Sequence, residues 1–294
     1  MEIVLKHVDK FFSTARERYE IKLRRKMGDP WPWTDDPIFR EWRFTNVHRE
    51  DDKTTTWFRE HIRDPLCKNL PDYYTPQLAH VKITEATLIF RWFNRIETGQ
   101  IIEDLLLHGW NTVEARQRLY NVSPVVTGAY IIKAGDGVSK LDGILACIDE
   151  ARPYLPRMVP GWGHTLHKAW EDLKTLHFMG GFMAYEVVTD LRWTPVLCNA
   201  NDIMSWANFG PGAIRGMGRV VDNDPWIFKN TARDQRLMLD LAKQLLSLSQ
   251  IEDYWPQVWP KWEMHEIEMW LCEYAKYCNG VEGQRLKRRY TPGG

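Results

Sequence analysis

Two glycine-centred turns in the sequence carry residue types suited to holding phosphate. In LHFMGGFMAYEVVTDL (176–191) a helix is expected to end near His177, a turn at Gly180 and Gly181 reverses the chain, and a second helix follows with Ala184, Val187, Val188 and Leu191 facing one way. A helix-hairpin-helix of this kind presents turn amides at a helix N-terminus, where they can hold a phosphate without reading base sequence. A plain αα-hairpin with a glycine C-cap is the other reading. In the following segment, NDIMSWANFGPGAIRGMGR (201–219), Gly210, Pro211 and Gly212 let backbone amides approach an anion. Arg215 and Arg219, four residues apart, then fall on one helical face as planar forks for phosphate oxygens.

A second set of candidates lies outside these turns. In FRWFNRIET (90–98) Arg91 and Arg95 are four apart, which puts both cations on one helical face while Phe90, Phe93 and Asn94 turn elsewhere. Such a pair can grip a nucleic-acid backbone, or it can be a solvated or salt-bridged cationic face. In RFTNVHREDDKTT (43–55) Asn46 suits a pyrimidine edge and Arg49 a phosphate; equally, Asn46 caps a helix and Arg49 pairs with Asp52. In WEMHEIEMWLCEYAKY (262–277) Glu266, Glu273 and Lys276 fall at helical steps with Glu268 off that line, and the spacing of Glu273 and Lys276 is also that of a surface ion pair. His164, His167 and His177 share a predicted helix without an HExxH-like carboxylate pattern, and Cys272 and Cys278 lie near His265 without a CxxC. No metal site is expected.

The elements that must carry these residues read as helices. From His7 to Met27 the apolar residues Val8, Phe11, Phe12, Ala15, Tyr19, Leu23 and Met27 recur at three- and four-residue steps, and Arg16, Arg18, Lys22, Arg24, Arg25 and Lys26 occupy the other face. GDPWPWTDDP (28–37) stops this basic amphipathic helix, because proline lacks the N–H that continues the ladder. Further helices are predicted at about 52–63, 77–96, 99–108, 112–120, 139–151, 164–177, 182–191, 234–248 and 262–278, with Asn111 and Ser139 as N-caps. Only Val125 to Lys133 and Pro195 to Cys198 offer strand-like runs, so the fold class is mainly α. The tail from Val281, with Arg285, Lys287, Arg288 and Arg289 against Glu282, is expected to fray.

Composition bounds the class of protein. The 294 residues carry 39 Lys+Arg and 39 Asp+Glu, with 44% hydrophobic residues, which excludes disorder and removes bulk charge as a reason to bind nucleic acid; any such partner must be held by local patches. The 5 cysteines are odd in number and scattered, which points to a reducing compartment rather than a disulfide framework. No window has the apolar run of a membrane helix, and Met1 to Lys10 is charged where a signal peptide would be apolar. A soluble, intracellular protein is expected. The 15 Trp are a heavy load, mostly for the core, with some free to serve as stacking surfaces for bases.

Asp202 lies twenty-one residues beyond Gly181, and the hairpin with this aspartate resembles the helix-hairpin-helix DNA glycosylases, in which a hairpin LPGVGxxTA is followed at a similar distance by an aspartate in the base pocket. Phe178 and Met179 replace the Pro-Gly portion, the hairpin holds no lysine and no four-cysteine cluster follows, which argues against ordinary glycosylase chemistry. Four blocks, RFTNVHREDDKTT (43–55), FRWFNRIET (90–98), SWANFGPGAIRGMGR (205–219) and WEMHEIEMWLCEYAKY (262–277), resemble a narrower group. This is the phage-type α-glutamyl/putrescinyl-thymine pyrophosphorylase family, also described as amino acid:DNA transferases, with the related helical domain of 5-hydroxymethyluracil DNA kinases.

The resemblance implies a step of thymine hypermodification in DNA: a hydroxymethyluracil is activated as a phosphate or pyrophosphate ester, and an amine displaces that group. Kinase activity from this chain alone is not expected, since its nearest P-loop candidate, GDGVSK (135–140), lacks the required spacing. Displacement at the exocyclic methylene requires a base out of the stack, a neutralised leaving group and a deprotonated, aimed amine. Asp202 is the candidate for the amine, with the alternative that it N-caps a helix starting near Ile203; Arg215 and Arg219 with Gly210 and Gly212 are the leaving-group clamp. Arg91, Asn94, Arg95, Asn46, Arg49, Gly180, Gly181, Glu268, Glu273 and Lys276 are assigned to substrate and DNA.

The implied fold is helix-hairpin-helix glycosylase-like, one catalytic unit over 1–294 of two helical lobes with a cleft: a basic helix and Pro/Trp connector (1–37), a core (38–280) and a basic tail (281–294). No cofactor is called for, with Mg2+ at the departing anion left open. Expected partners are DNA carrying a modified thymine, an amino acid or polyamine, and other enzymes of the pathway, in the cytoplasm of an infected bacterial host and without a membrane. A glycosylase acting on a modified pyrimidine and a non-catalytic module that binds modified DNA are the alternatives.

Overall fold

Side-chain caps set half of the helix starts. A computed structural model describes residues 5–71, 74–129, 132, 133, 135 and 137–291. Its helices are α1 (Val8–Met27), α2 (Pro37–Glu41), α3 (Lys53–Phe58), α4 (Asp64–Asn69), α5 (Pro76–Phe93), α6 (Ile96–His108), α7 (Thr112–Leu119), α8 (Lys140–Ala151), α9 (Leu155–Met158), α10 (Leu166–Leu173), α11 (Gly180–Leu191), α12 (Pro211–Asp222), α13 (Ala232–Leu248) and α14 (Met264–Val281). Side chains of Asp36, Thr75, Asn111, Ser139, Thr165 and Thr231 each accept a first-turn amide, and Glu263 and Glu266 cap α14 reciprocally. Among the described residues no strand forms and no helix is long and apolar enough to cross a membrane.

The chain divides into two compact units, one of Met1–Asp52 with Met204–Gly294 and one of Lys53–Ile203. In the first, α14 packs against α1, α2, α12 and α13. Much of the tryptophan load is core here: Trp255, Trp262 and Trp270 are fully buried around Phe11, Phe12 and Tyr274. Buried indoles keep their N–H satisfied where backbone oxygens are in reach, Trp270 on Phe11 O (3.1 Å) and Trp255 on Pro260 O (2.9 Å).

The closest helix pairing in this unit is α12 on α14, and it depends on glycine. A Cβ at Gly216 would stand 1.9 Å from the Leu271 carbonyl oxygen, and one at Gly212 would stand 2.2 Å from Cys272 Sγ. Only residues without a side chain let the two backbones approach this far.

In the second unit α5 is buried nearly all round and packs against α4, α6, α9 and α11. Its Phe90 stacks on Trp57 and Phe58 of α3. The Arg91 guanidinium, at 2% side-chain exposure, forms a two-pronged ion pair with the fully buried Asp190 of α11, and it also reaches Asn94 Oδ1 (2.6 Å) and Thr55 Oγ1 (3.1 Å).

Several sequence expectations are corrected. The predicted helix 77–96 ends at Phe93, because Asn94 takes the left-handed conformation (φ 43°) and Arg95 begins the next helix as its extended N-cap. The helix 52–63 is α3, then a π-helical turn over Arg59–Arg63 that runs into α4. The helix 164–177 shortens to α10. No helix starts near Ile203; residues 201–205 are turns. Helix α12 was missing from the predicted ranges, although Arg215 and Arg219 had been given one helical face; Gly212, Gly216 and Gly218 lower its intrinsic propensity and packing on α14 overrides that cost. The Pro195–Cys198 run is a turn, and the described part of Val125–Lys133 is irregular, with Tyr130 and Ile131 outside the described residues; so is Asp136 of GDGVSK. Arg18, assigned to the polar face of α1, points inward. The tail does not fray through Tyr290: Tyr290 N donates to Glu41 O (2.8 Å), Arg43 N to Arg288 O (3.0 Å), and Leu286 is buried.

Candidate functional site

Within the first unit, a polar cluster forms where the segment 43–52 lies over α1 and α14. Asn46 donates its backbone N–H and its side-chain Nδ2–H to the same oxygen of Asp52, Oδ1, at 3.0 Å each. The Asn46 side-chain oxygen Oδ1 accepts from Arg18 Nη2 (2.8 Å), so the side-chain amide is held from both ends and its orientation is set by the network. Among the described residues nothing hydrogen-bonds to Asp52 Oδ2. Burial pushes the Asp52 carboxyl up to about 6, against the lowering influence of the Asn46 amide, Arg18 and Arg49. A carboxyl poised there exchanges protons near neutral pH, which is what a general base or acid requires.

Glu273 of α14 is buried beside this group. It accepts from Thr45 N (3.1 Å) and from Lys276 Nζ (3.2 Å), and Lys276 also binds the Arg43 carbonyl and lies over the Phe44 ring (4.4 Å). Glu273 thus fixes the start of the segment while its charge helps raise Asp52. Arg49 is buried and bears on Asp52 electrostatically. Glu266, on the same helix as Glu273, has its Oε1 3.5 Å from Nδ1 of His48 in the 43–52 segment. Burial pushes Glu266 up, but His48, His265 and the Glu263 amide outweigh it and hold that carboxyl below its usual range.

On α12 the two arginines have different fates. Arg219 is buried and committed to Glu282 (Nη2 to Oε2, 2.7 Å) and to the Asn223 carbonyl (3.1 Å) at the helix end. Arg215 is half-buried, near enough to Cys272 to bear on it, and makes no hydrogen bond or ion pair with any described residue. A guanidinium in that state is available to an anion. Gly210 is the extended N-cap of α12, and Gly212 sits in its first turn under Cys272. Glu268 lies on α14 one turn before Cys272 and is half-buried.

In the second unit Asp202 acts as a cap from far along the chain. Its two oxygens accept Leu166 N (2.7 Å) and His167 N (2.9 Å) at the start of α10, next to the Thr165 side chain on Lys168 N (3.2 Å). α10 and α11 form the hairpin, with Gly180 and Gly181 opening α11; Trp170 Nε1 donates to Gly181 O (2.8 Å) and closes the turn. Arg91 and Asn94 belong to the buried Asp190 network, and Arg95 pairs with Glu97 (3.0 Å) and the Pro124 carbonyl, so these two arginines do not form an exposed pair.

The structure therefore gathers Asn46, Arg49, Glu273 and Lys276 into one cluster. It brings Arg91 and Asn94 together in another, and places Asp202 and Arg215 in different units. Two members of the first cluster were not proposed from sequence. Asp52 entered only as a partner for Arg49, although the tandem Asp51-Asp52 beside Asn46 was a signal. Arg18 stands seven residues after Phe11, on the apolar stripe of α1, which marks it as an inward-facing cation.

A family model described as 5-hmdU DNA kinase, helical domain, matches residues 5–285, and the chain belongs to this family. It is similar to a 5-hmdU DNA kinase of Bacillus phage SP10, 26% identical over 311 residues, covering 94% of this chain and 46% of that protein. The chain thus spans about half the length of that curated relative. No solved structure matches it.

Proposed function

We propose that this chain is a DNA-modifying transferase of thymine hypermodification, of the amino acid:DNA transferase type, with a helix-hairpin-helix glycosylase-like fold of two lobes. It replaces the phosphate or pyrophosphate on 5-(phospho)methyl-deoxyuridine in DNA by an amino acid or polyamine. Family membership supports the modified thymine as substrate. The observation that carries the chemistry is Asp52 Oδ2, a carboxylate oxygen that no described residue hydrogen-bonds, on a group shifted to about 6, in the same unit as Arg215, which pairs with no described residue.

In the proposed step the amine nitrogen forms a bond to the exocyclic methylene carbon. The carbon–oxygen bond breaks, and the phosphate leaves with the bonding pair. Asp52 takes the proton the amine gives up, and Arg215 stabilises the charge gathering on the leaving oxygen, an interaction stronger in the transition state than before it. Asp202 holds the α10–α11 hairpin, whose amides would meet a DNA phosphate. The test is to incubate the protein with DNA carrying the activated base and each of a set of amino acids and polyamines, then analyse the nucleosides by mass spectrometry. An amine adduct is expected; its absence with every amine, beside an active control enzyme, refutes the reading.

The similarity to half of a 5-hmdU DNA kinase favours one second reading, a non-catalytic module that holds hydroxymethyluracil DNA for another protein's chemistry. On that reading Asp52→Asn leaves modified-DNA binding and biological activity intact.

A further inference from the structure

The connector 28–37 and the basic tail meet in a feature the transfer chemistry does not use. Trp31 and Tyr290 lie nearly parallel (5.4 Å, 23°), and Trp33 stands edge-on to Trp31 (5.2 Å, 85°). The Arg25 guanidinium covers Trp33 at 4.9 Å and Tyr290 at 6.0 Å, while Trp33 Nε1 is tied to Asp29 O (2.7 Å). Every ring behind Trp31 is thereby held in place, and Trp31 itself is 39% exposed, the outer member of an ordered stack. Lys26, Arg285, Lys287 and Arg288 are exposed around this end of the unit, and none has an ion pair with a described residue. Beside Trp33 a hollow of about 520 Å³ carries Glu17, Asp29, Asp35 and Asp36, and its one lining cation, Arg24, is already paired with Glu17 and Glu20; the excess of carboxylates would repel phosphate and leave the tail side as the cationic path.

We infer that Trp31 is a stacking platform for the bases of a single DNA strand, whose phosphates follow the cations of the tail. A preformed aromatic outer face flanked by unpaired cations is the combination that binds single strands without reading sequence. The inference rests on DNA being the substrate, as proposed above, and adds a binding surface apart from the Asp52 cluster.

Fluorescence anisotropy with a labelled, unmodified single-stranded oligothymidine tests it on the full chain. Trp31→Ala is expected to raise Kd roughly tenfold with little change in salt dependence. The double variant Lys287→Ala/Arg288→Ala should flatten the dependence of log Kd on log salt by about 1 to 1.5. Trp31→Phe, which keeps a ring, should recover most of the affinity, so loss of folding cannot imitate the result. Unchanged affinity of Trp31→Ala, or no binding by the native chain, overturns the inference. An active transfer assay together with unchanged binding by Trp31→Ala rejects the platform alone, whereas binding through Trp31 without any amine adduct rejects the transfer reading alone.

Discussion

Asn46 grips one oxygen of Asp52 with two N–H groups at 3.0 Å each and leaves the other oxygen open. The pair fixes the direction of the carboxylate without satisfying it, while burial raises its proton affinity. A structural carboxylate would normally be bonded through both oxygens, as Asp202 is on Leu166 N and His167 N. The difference between these two aspartates yields the first prediction.

Because the folded-state value of Asp52 is about 6 against 3.8, the folded protein holds this proton where the unfolded chain has released it. The group's contribution to stability is therefore greatest below the unfolded value and falls as pH rises toward 6. At pH 8 Asp52→Asn should stabilise the fold by about 1 kcal/mol while abolishing amine transfer. Native turnover should rise with pH through about 6 as the carboxyl ionises. Denaturant unfolding and a pH–rate profile check both; a destabilised Asp52→Asn protein would mark the residue as a structural acceptor.

Arg215→Ala should lower transfer about a hundredfold and leave DNA affinity within about twofold, since a leaving-group contact acts mainly in the transition state. Arg219→Ala should instead lower stability by about 1–2 kcal/mol, because it removes the bonds to Glu282 and the Asn223 carbonyl. Parallel measurement of kcat, Kd and thermal melting separates the two. Equal losses of rate and binding in Arg215→Ala would make it a DNA-backbone contact.

The α12–α14 contact predicts an asymmetry between two glycines. Gly216→Ala meets a backbone oxygen at 1.9 Å and should cost about 3 kcal/mol or more, with no side-chain change able to relieve it. Gly212→Ala meets the Cys272 thiol at 2.2 Å, so adding Cys272→Ala should restore at least half of its loss. Urea melts of the two single variants and the double variant decide this; equal rescue of both glycine variants by Cys272→Ala would contradict the packing.

The buried Arg91–Asp190 pair should behave as one unit. Asp190→Ala leaves an uncompensated guanidinium in the core and should cost about 3–5 kcal/mol, whereas Arg91→Met/Asp190→Leu should cost less than either single change. A double-mutant cycle in denaturant is the measurement. If Arg91→Met alone left stability unchanged and reduced DNA affinity, Arg91 would be a ligand-facing group.

Local signals carried the helical class and most helix starts, because capping at Asn111 and Ser139 and the apolar spacing of α1 are interactions among residues a turn or two apart. The segment 43–55 and the last helix were singled out by their resemblance to a family, and the structure brings Asn46, Arg49, Glu273 and Lys276 of these two stretches into one cluster. The spacing rule failed at Arg91 and Arg95, where one left-handed residue, Asn94, separates two helices and sends the cations to different partners. It gave Arg215 and Arg219 one helical face without delimiting α12, whose glycines oppose a helix in isolation and permit one only against α14.

What sequence alone determined was therefore the alphabet of elements and the list of polar groups with chemical potential. Which of those groups remain open was decided by tertiary structure. Arg215 and Arg219 are indistinguishable by type and spacing, yet only Arg219 finds Glu282; Asp52 and Asp202 are both acids beside predicted helices, yet Asp202 spends both oxygens on the start of α10 while burial lifts Asp52 toward neutrality. Desolvation and pairing depend on which atoms crowd a charge in space, and those atoms come from segments that can lie hundreds of residues apart along the chain.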